Sequence, residues 1–158
     1  MKPSMTIIMG PAGSGKSTLA MKLWRENNTG NLMFIYEADM WMMEGNEYKF
    51  DPKKLSYCHN QCQENTERAL FDGHNVIVSN TTLRRKDLNL YMDIAAKYNA
   101  PVKIIKMLTR HKSIHNIPDE KLACMESMFK SFDWKDLPEF VTVENYPNDI
   151  PDWWQNSV

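Results

Sequence analysis

The sequence lacks several things that would have assigned it to a class at once. It has only three cysteines in 158 residues. Cys58, Cys62 and Cys124 cannot all pair, which argues against a disulfide-framed secreted domain and for a reducing cytoplasmic setting. No apolar run approaches the roughly 20 residues that a bilayer span requires, so no membrane segment is expected. Met1-Lys2-Pro3-Ser4 leads directly into an apolar strand-like run, so no signal peptide is expected either. The formal net charge is only −1, with 25% charged and 42% hydrophobic residues, which is ordinary for a soluble globular protein. The length suits one domain, residues 1–158. No guanine-reading Asn-Lys-x-Asp sequence is present, and the length leaves no room for the helical lid domain of a large ATPase motor.

Glycine is also scarce, and the stretch where it clusters organises the rest. Thr6-Ile7-Ile8-Met9 enters Gly10-Pro11-Ala12-Gly13-Ser14-Gly15 and leaves through Lys16-Ser17-Thr18 into a helical pattern. Gly10, Gly15, Lys16 and Ser17 fit the phosphate-binding spacing G-x-x-x-x-G-K-[ST]. Glycine opens φ values closed to other residues, so successive backbone N–H groups can turn inward around an anion. The helix that follows adds its free N-terminal N–H groups and positive dipole end. In this spacing Lys16 reaches the β- and γ-phosphates and the Ser17 hydroxyl coordinates Mg²⁺. The alternative, an accidental small-residue turn, does not account for the strand–turn–helix context.

Further along, Leu32 to Tyr36 reads as a second, buried strand that ends in Glu37-Ala38-Asp39. Met40 to Phe50 reads as an irregular aromatic segment. Asp51-Pro52 opens a long helix to about Phe71, with Asp51 as N-cap. Cys58 and Cys62 share a face of it, with no second ligand pair elsewhere, and read as small buried residues. Val76 to Ser79 is a third strand, followed by Asn80-Thr81-Thr82 and a helix after Arg84-Arg85-Lys86. Val102 to Leu108 is a fourth strand, a helix starts at Pro118, and Phe140 to Val143 is a last short strand. Strands alternating with helices predict an α/β fold, a three-layer α/β/α sandwich around a mainly parallel sheet of about five strands. Residues 109–118 form a candidate lid and residues 147–158 a tail, in which Trp153 and Trp154 read as a hydrophobic latch.

Charge is unevenly spread. Arg84 to Lys112 is strongly basic and Asp133 onward is acidic, which fits either a local anion-binding face or merely solvated helix surfaces. Ligands in α/β sheets sit beyond the carboxyl ends of the strands, and Asp39 falls there, beside the phosphate turn. Arg110 to Lys112 follows the fourth strand. A carboxylate to take a hydroxyl proton, Lys16 and Mg²⁺ on a triphosphate, and a mobile cation meet the needs of phosphoryl transfer to an alcohol.

With these residues in place, the chain resembles the polynucleotide 5′-hydroxyl kinase type of P-loop kinase. That group takes in the kinase-like domain of the NEDD4-binding proteins, with zeta toxins distantly related. The resemblance runs from Thr6 to about Phe132 and rests on the phosphate turn, Glu37-Ala38-Asp39 and Glu47 to Pro52. It rests also on Ser79 to Leu83, and on His115-Asn116-Ile117-Pro118 before Glu120-Lys121-Leu122. It implies ATP and Mg²⁺ as cofactors, residues 10–18 as the donor cradle and Asp39 as general base. It implies Lys112 as the lid cation, with Arg110 as a nearby substitute, and Thr81 beside the acceptor's phosphate. Asn80, Met42 and Trp41 fall in the same acceptor region. Met42 stands where viral polynucleotide kinases have a gripping arginine, and Ser79-Asn80 stands where relatives have an Asp. Mg²⁺ is then left to Ser17 and water, with Glu37 or Asp39 behind them. Trp41, Tyr48 and Phe50 fit either base stacking or packing onto the core.

The leading expectation is a kinase for the 5′-hydroxyl of a DNA or RNA end. A kinase for another alcohol, such as a modified DNA base, nucleoside or nucleotide sugar, is the second, and a non-catalytic ATP-binding module the third.

Overall fold

The computed structural model describes residues 2–81, 84–110 and 117–156. Its centre is a five-stranded sheet built from β1 (Met5–Met9), β2 (Met33–Tyr36), β5 (Asn75–Val78), β6 (Val102–Met107) and β7 (Val141–Tyr146). The spatial order is β2-β5-β1-β6-β7 and every pairing is parallel. The middle strands lie between helices on both faces, so β1 and β5 read as nearly continuous apolar runs, whereas β6 carries Lys103 and Lys106. β5 is buried along its whole length, whereas the edge strand β2 is only half-buried.

Alternate residues feed two cores. Met5, Ile7, Val76, Val78, Val102 and Ile104 face one side. That side is covered by α2 (Leu55–Phe71), α3 (Arg85–Lys97) and α4 (Asp119–Lys130). Ile8, Ile77 and Ile105 face the other, against Leu19 and Ala20 of α1 (Lys16–Arg25). Cys58 and Cys62 are fully buried against the first core.

Three details differ from the sequence expectation. The segment after Asp39 is ordered: a 3-10 turn over Ala38–Met42 leads into a small antiparallel hairpin, β3 (Met43–Glu44) and β4 (Glu47–Tyr48). Gly45, at φ 62°, supplies the left-handed residue that this tight connection needs. The Asp51 cap serves a short 3-10 turn, Pro52–Lys54, before α2, and its Oδ1 accepts from Lys53 N at 2.9 Å. The last strand extends to Tyr146, because a polar edge strand lacks the apolar run that marks a buried one; Glu144 there pairs with Lys103 at 3.6 Å. The tail closes with α5 (Asp152–Asn156), where Trp154 packs on Phe129 with ring centroids 5.3 Å apart. No described helix is long and apolar enough to cross a membrane.

Candidate active site

The carboxyl ends of β1, β2, β5 and β6 converge on one rim, and the motif residues sit along it. The turn from Gly10 to Gly15 follows β1, and Gly13 and Gly15 adopt φ of 76° and 89°. Gly10 is required for a different reason. A Cβ there would stand 2.6 Å from Ser14 Oγ and 2.8 Å from Met107 Cβ, closer than packed atoms approach. The Ser14 hydroxyl donates to Pro11 O at 2.7 Å, and Thr109 Oγ1 donates to Ser14 O, tying the turn to the end of β6. Gly15 is the N-cap of α1, so Lys16, Ser17 and Thr18 occupy its first turn, with their backbone N–H groups facing the mouth of the cradle.

Lys16 closes the turn from within. Its Nζ donates to Gly10 O at 3.0 Å and to Pro11 O at 2.9 Å. Burial lowers its pKa from 10.5 to about 8, while the negative charges of Glu37 and Asp39 pull in the opposite direction. An ammonium so placed, poorly solvated and held only by carbonyls, favours an incoming polyanion.

Glu37 ties the end of β2 to the first turn of α1 and to the end of β5. Its Oε1 accepts from Ser17 Oγ at 2.9 Å and from Ser79 Oγ at 2.7 Å. A serine hydroxyl and a carboxylate are hard oxygen donors, the type that holds Mg²⁺ alongside a triphosphate. Asp39 is exposed on the 3-10 turn, and its charge acts on both Lys16 and Tyr48. Burial raises the Tyr48 phenol, and Asp39 adds to that shift.

The acceptor-side expectations separate. Asn80 is only 3% exposed and turned inward. Its Oδ1 accepts from Ala38 N at 2.6 Å, and its amide donates to Tyr91 OH at 3.3 Å and Cys62 Sγ at 3.6 Å. Burial pushes both the Tyr91 phenol and the Cys62 thiol upward, so this network stays neutral. Asn80 therefore fixes the backbone next to Asp39 and does not line a cleft. Met42, expected among the acceptor contacts, is fully buried in the core; an uncharged thioether on the inner side of a 3-10 turn packs there. Trp41 is half-buried against Tyr36, with ring centroids 6.4 Å apart. Thr81 lies at the rim beyond β5.

On the lid side, Lys112 lies outside the described residues. Arg110 donates to both oxygens of Glu126, at 3.2 and 2.5 Å, and its guanidinium stacks 3.9 Å from the centre of the Trp153 ring. A cavity of about 370 Å³ opens here, lined by Pro11, Ser14, Thr109, Arg110, Glu126 and Trp153. Sequence reasoning missed Glu126, since nothing in a pattern links residues 16 apart across a loop. It missed the inward role of Asn80 too, although a small polar residue at the end of a fully apolar strand was a usable signal.

A parallel sheet of order β2-β5-β1-β6-β7 with a glycine-lined anion cradle after its central strand defines a P-loop nucleotide fold of the kinase type. A family model described as an AAA domain matches residues 5–116, well over half of the chain, and the chain belongs to that family. Among solved structures, a chain of the Pnkp1/Rnl/Hen1 complex aligns at 20% identity and a TM-score of 0.56. The alignment covers 87% of this chain and 42% of that one, so this chain spans under half of that relative's length. Kti12 of Chaetomium thermophilum, solved with ADP-AlF3, aligns at 10% identity and a TM-score of 0.63, over 92% of this chain and 90% of that one. The APS kinase CysC of Mycobacterium tuberculosis, solved with AMPPNP and APS, aligns at 13% identity and a TM-score of 0.56, over 98% and 94%. At such identities what is shared is the fold.

Proposed function

We propose that the chain is a phosphotransferase that moves the γ-phosphate of ATP to an alcohol, with the 5′-hydroxyl of a DNA or RNA end as its acceptor. The observation that carries this reading is the position of Asp39, exposed on the rim and electrostatically coupled to the cradle lysine. A cradle alone serves any nucleotide-binding protein; a carboxylate poised over it serves transfer.

In this reading the triphosphate lies in the turn from Gly10 to Thr18, and its base enters the cavity beside Arg110 and Trp153. Ser17 would hold Mg²⁺ with Glu37 behind it, and the ion supplies charge neutralisation on the β- and γ-phosphates when bound. Asp39 accepts the acceptor's hydroxyl proton. The hydroxyl oxygen bonds to the γ-phosphorus as the bond to the β–γ bridging oxygen breaks, and ADP carries away that electron pair. Lys16 exchanges its two carbonyl partners for phosphate oxygens. Arg110, or Lys112, supplies the lid cation; Arg110 would leave Glu126 to do so. The cysteines Cys58, Cys62 and Cys124 are unpaired, which suits a reducing compartment, and we place the reaction in the cytoplasm.

The test offers γ-labelled ATP with 5′-hydroxyl oligonucleotides, nucleosides and nucleotide sugars in parallel. We expect label on the oligonucleotide, lost in Asp39→Asn with ATP binding kept, and loss of ATP use in Lys16→Ala. Full activity in Asp39→Asn would sink the general-base assignment. The burial of Met42 favours one second reading: with no cation on that turn, a smaller alcohol without a polynucleotide backbone is the acceptor, and label would then appear on the nucleoside or nucleotide sugar. ATP binding with no transfer to any acceptor would return the chain to a non-catalytic nucleotide module.

A further inference from the structure

Helix α4 borders two cavities that share Pro11 of the phosphate turn. The smaller, about 90 Å³, lies between Met125, Met128 and Phe129 and the turn at Gly10 and Pro11. The larger, described above, meets α4 at Leu122, Ala123 and Glu126, about 120° away round the helix. Residues 11–14 line the larger one too, so it opens directly from the cradle. Arg110 and Trp153 of the tail also line it, and they are in contact with each other.

The Arg110 guanidinium is engaged both at its edge and on a face. Nε and one terminal nitrogen donate to the two oxygens of Glu126, and the Trp153 ring stacks on the plane at 3.9 Å. The Glu126 side chain is only 13% exposed, so this pair is shielded in a way that an ordinary surface ion pair is not. Trp153 is itself held edge-on by Trp154, with ring centroids 5.6 Å apart, and Trp154 packs on Phe129 of α4. Lys130 Nζ donates to the Trp154 carbonyl, which pins the tail to the same helix a second time. Trp154 is therefore the anchor in the core, and Trp153 covers a cation at the edge of the cavity. A guanidinium suited to grip phosphate oxygens in two hydrogen bonds is gripping a carboxylate in that same manner.

We propose that Glu126 and Trp153 form an autoinhibitory latch, which holds Arg110 in the nucleotide-free chain and which a bound triphosphate must open to gain that cation. This rests on the phosphotransfer reading and adds to it a restraint carried by α4 and the tail. A state that is only partly populated lowers the apparent affinity of its ligand by its own fraction. A shielded two-point ion pair and a cation–π stack together keep the unlatched fraction at about one in ten or less. Phosphate oxygens carry more charge than the carboxylate and offer the guanidinium the same two-point geometry, so the exchange is favourable once the cradle is filled. Arg110 then becomes available in molecules whose cradle is occupied and stays latched in the others.

The test is equilibrium binding without acceptor, on the full chain, of AMPPNP and of inorganic tripolyphosphate, which has no base to stack on Trp153. The proteins are the wild type, Glu126→Gln, Trp153→Ala, Arg110→Ala and each of the first two substitutions combined with Arg110→Ala. We expect Glu126→Gln to bind both probes about fivefold or more tightly than the wild type, and Trp153→Ala to bind tripolyphosphate about threefold more tightly. In the Arg110→Ala background both gains should vanish, because no cation is left to release. Unchanged or weaker binding in Glu126→Gln would overturn the latch. So would a gain that survives in Arg110→Ala, since Glu126 would then merely repel the phosphates. The two substitutions break different contacts of Arg110, so either decides should urea unfolding show that the other does not fold. Failure of the phosphotransfer reading looks different: the gains depend on Arg110, but no acceptor takes label from ATP.

Discussion

Lys16→Met should stabilise the nucleotide-free protein while removing its use of ATP. Lys16 is 7% exposed and its ammonium is held by two carbonyls at 3.0 and 2.9 Å. Its pKa falls from 10.5 to about 8 because burial outweighs the attraction of Glu37 and Asp39. At 1.36 kcal/mol per pH unit, the charge costs the fold about 3 kcal/mol. The unfolded chain holds the proton up to about pH 10.5 and the folded one up to about pH 8. Between those values the unfolded state binds more protons, so this contribution rises with pH; below pH 8 the full cost is present, and above 10.5 it is gone. Methionine keeps the apolar stem and drops the charge, at a loss of about 2 kcal/mol for the two carbonyl hydrogen bonds. The net gain is about 1 kcal/mol near pH 7. Urea unfolding followed by tryptophan fluorescence, on both proteins near pH 7 and pH 10 without nucleotide, measures it. Comparing the two proteins at each pH cancels the buried tyrosines and cysteines, whose raised pKa values act in the opposite sense on both. A variant less stable than the wild type near pH 7, or a gap that persists near pH 10, would refute the reasoning.

Two further substitutions probe the rim. Gly10→Ala drives a methyl to 2.6 Å from Ser14 Oγ and 2.8 Å from Met107 Cβ; overpacking of that kind costs about 1–3 kcal/mol of unfolding free energy, read as a lower urea midpoint, and weakens nucleotide affinity with it. Asn80→Ala leaves the Ala38 N–H without its buried acceptor, at a cost of about 1–3 kcal/mol. Because it loosens the turn carrying Asp39 and not the cradle, we expect kcat to fall while the KM for ATP stays near the wild-type value.

Much of the fold was legible because its signals are local. The apolar runs around Ile7, Ile35, Ile77 and Ile104 each gave a strand within a residue or two, since buried parallel strands leave no polar alternation to misread. The hairpin at Met43 to Tyr48 was not legible: two-residue strands carry no periodicity, and only Gly45 marked the turn. In the candidate site, the cradle and the place of Asp39 followed from spacing. Which side chains face in and which face out did not. Asn80 and Met42 stand beside more open neighbours, Thr81 and Met43, and the direction of each is decided by contacts 18 and 9 residues away, with Cys62 and Asp51. The clamp of Glu126 on Arg110 is likewise tertiary.

The wall that the two cavities share has a thermodynamic consequence. Pro11 and α4 line both, so a ligand that draws the helix toward the cradle on one side reshapes the other. Linkage makes any such effect reciprocal: the factor by which the first ligand tightens the second is the factor by which the second tightens the first. Any coupling between ligands in the two cavities is therefore carried by one helix, and its size is set by how far α4 can tilt before Phe129 and Trp154 lose contact.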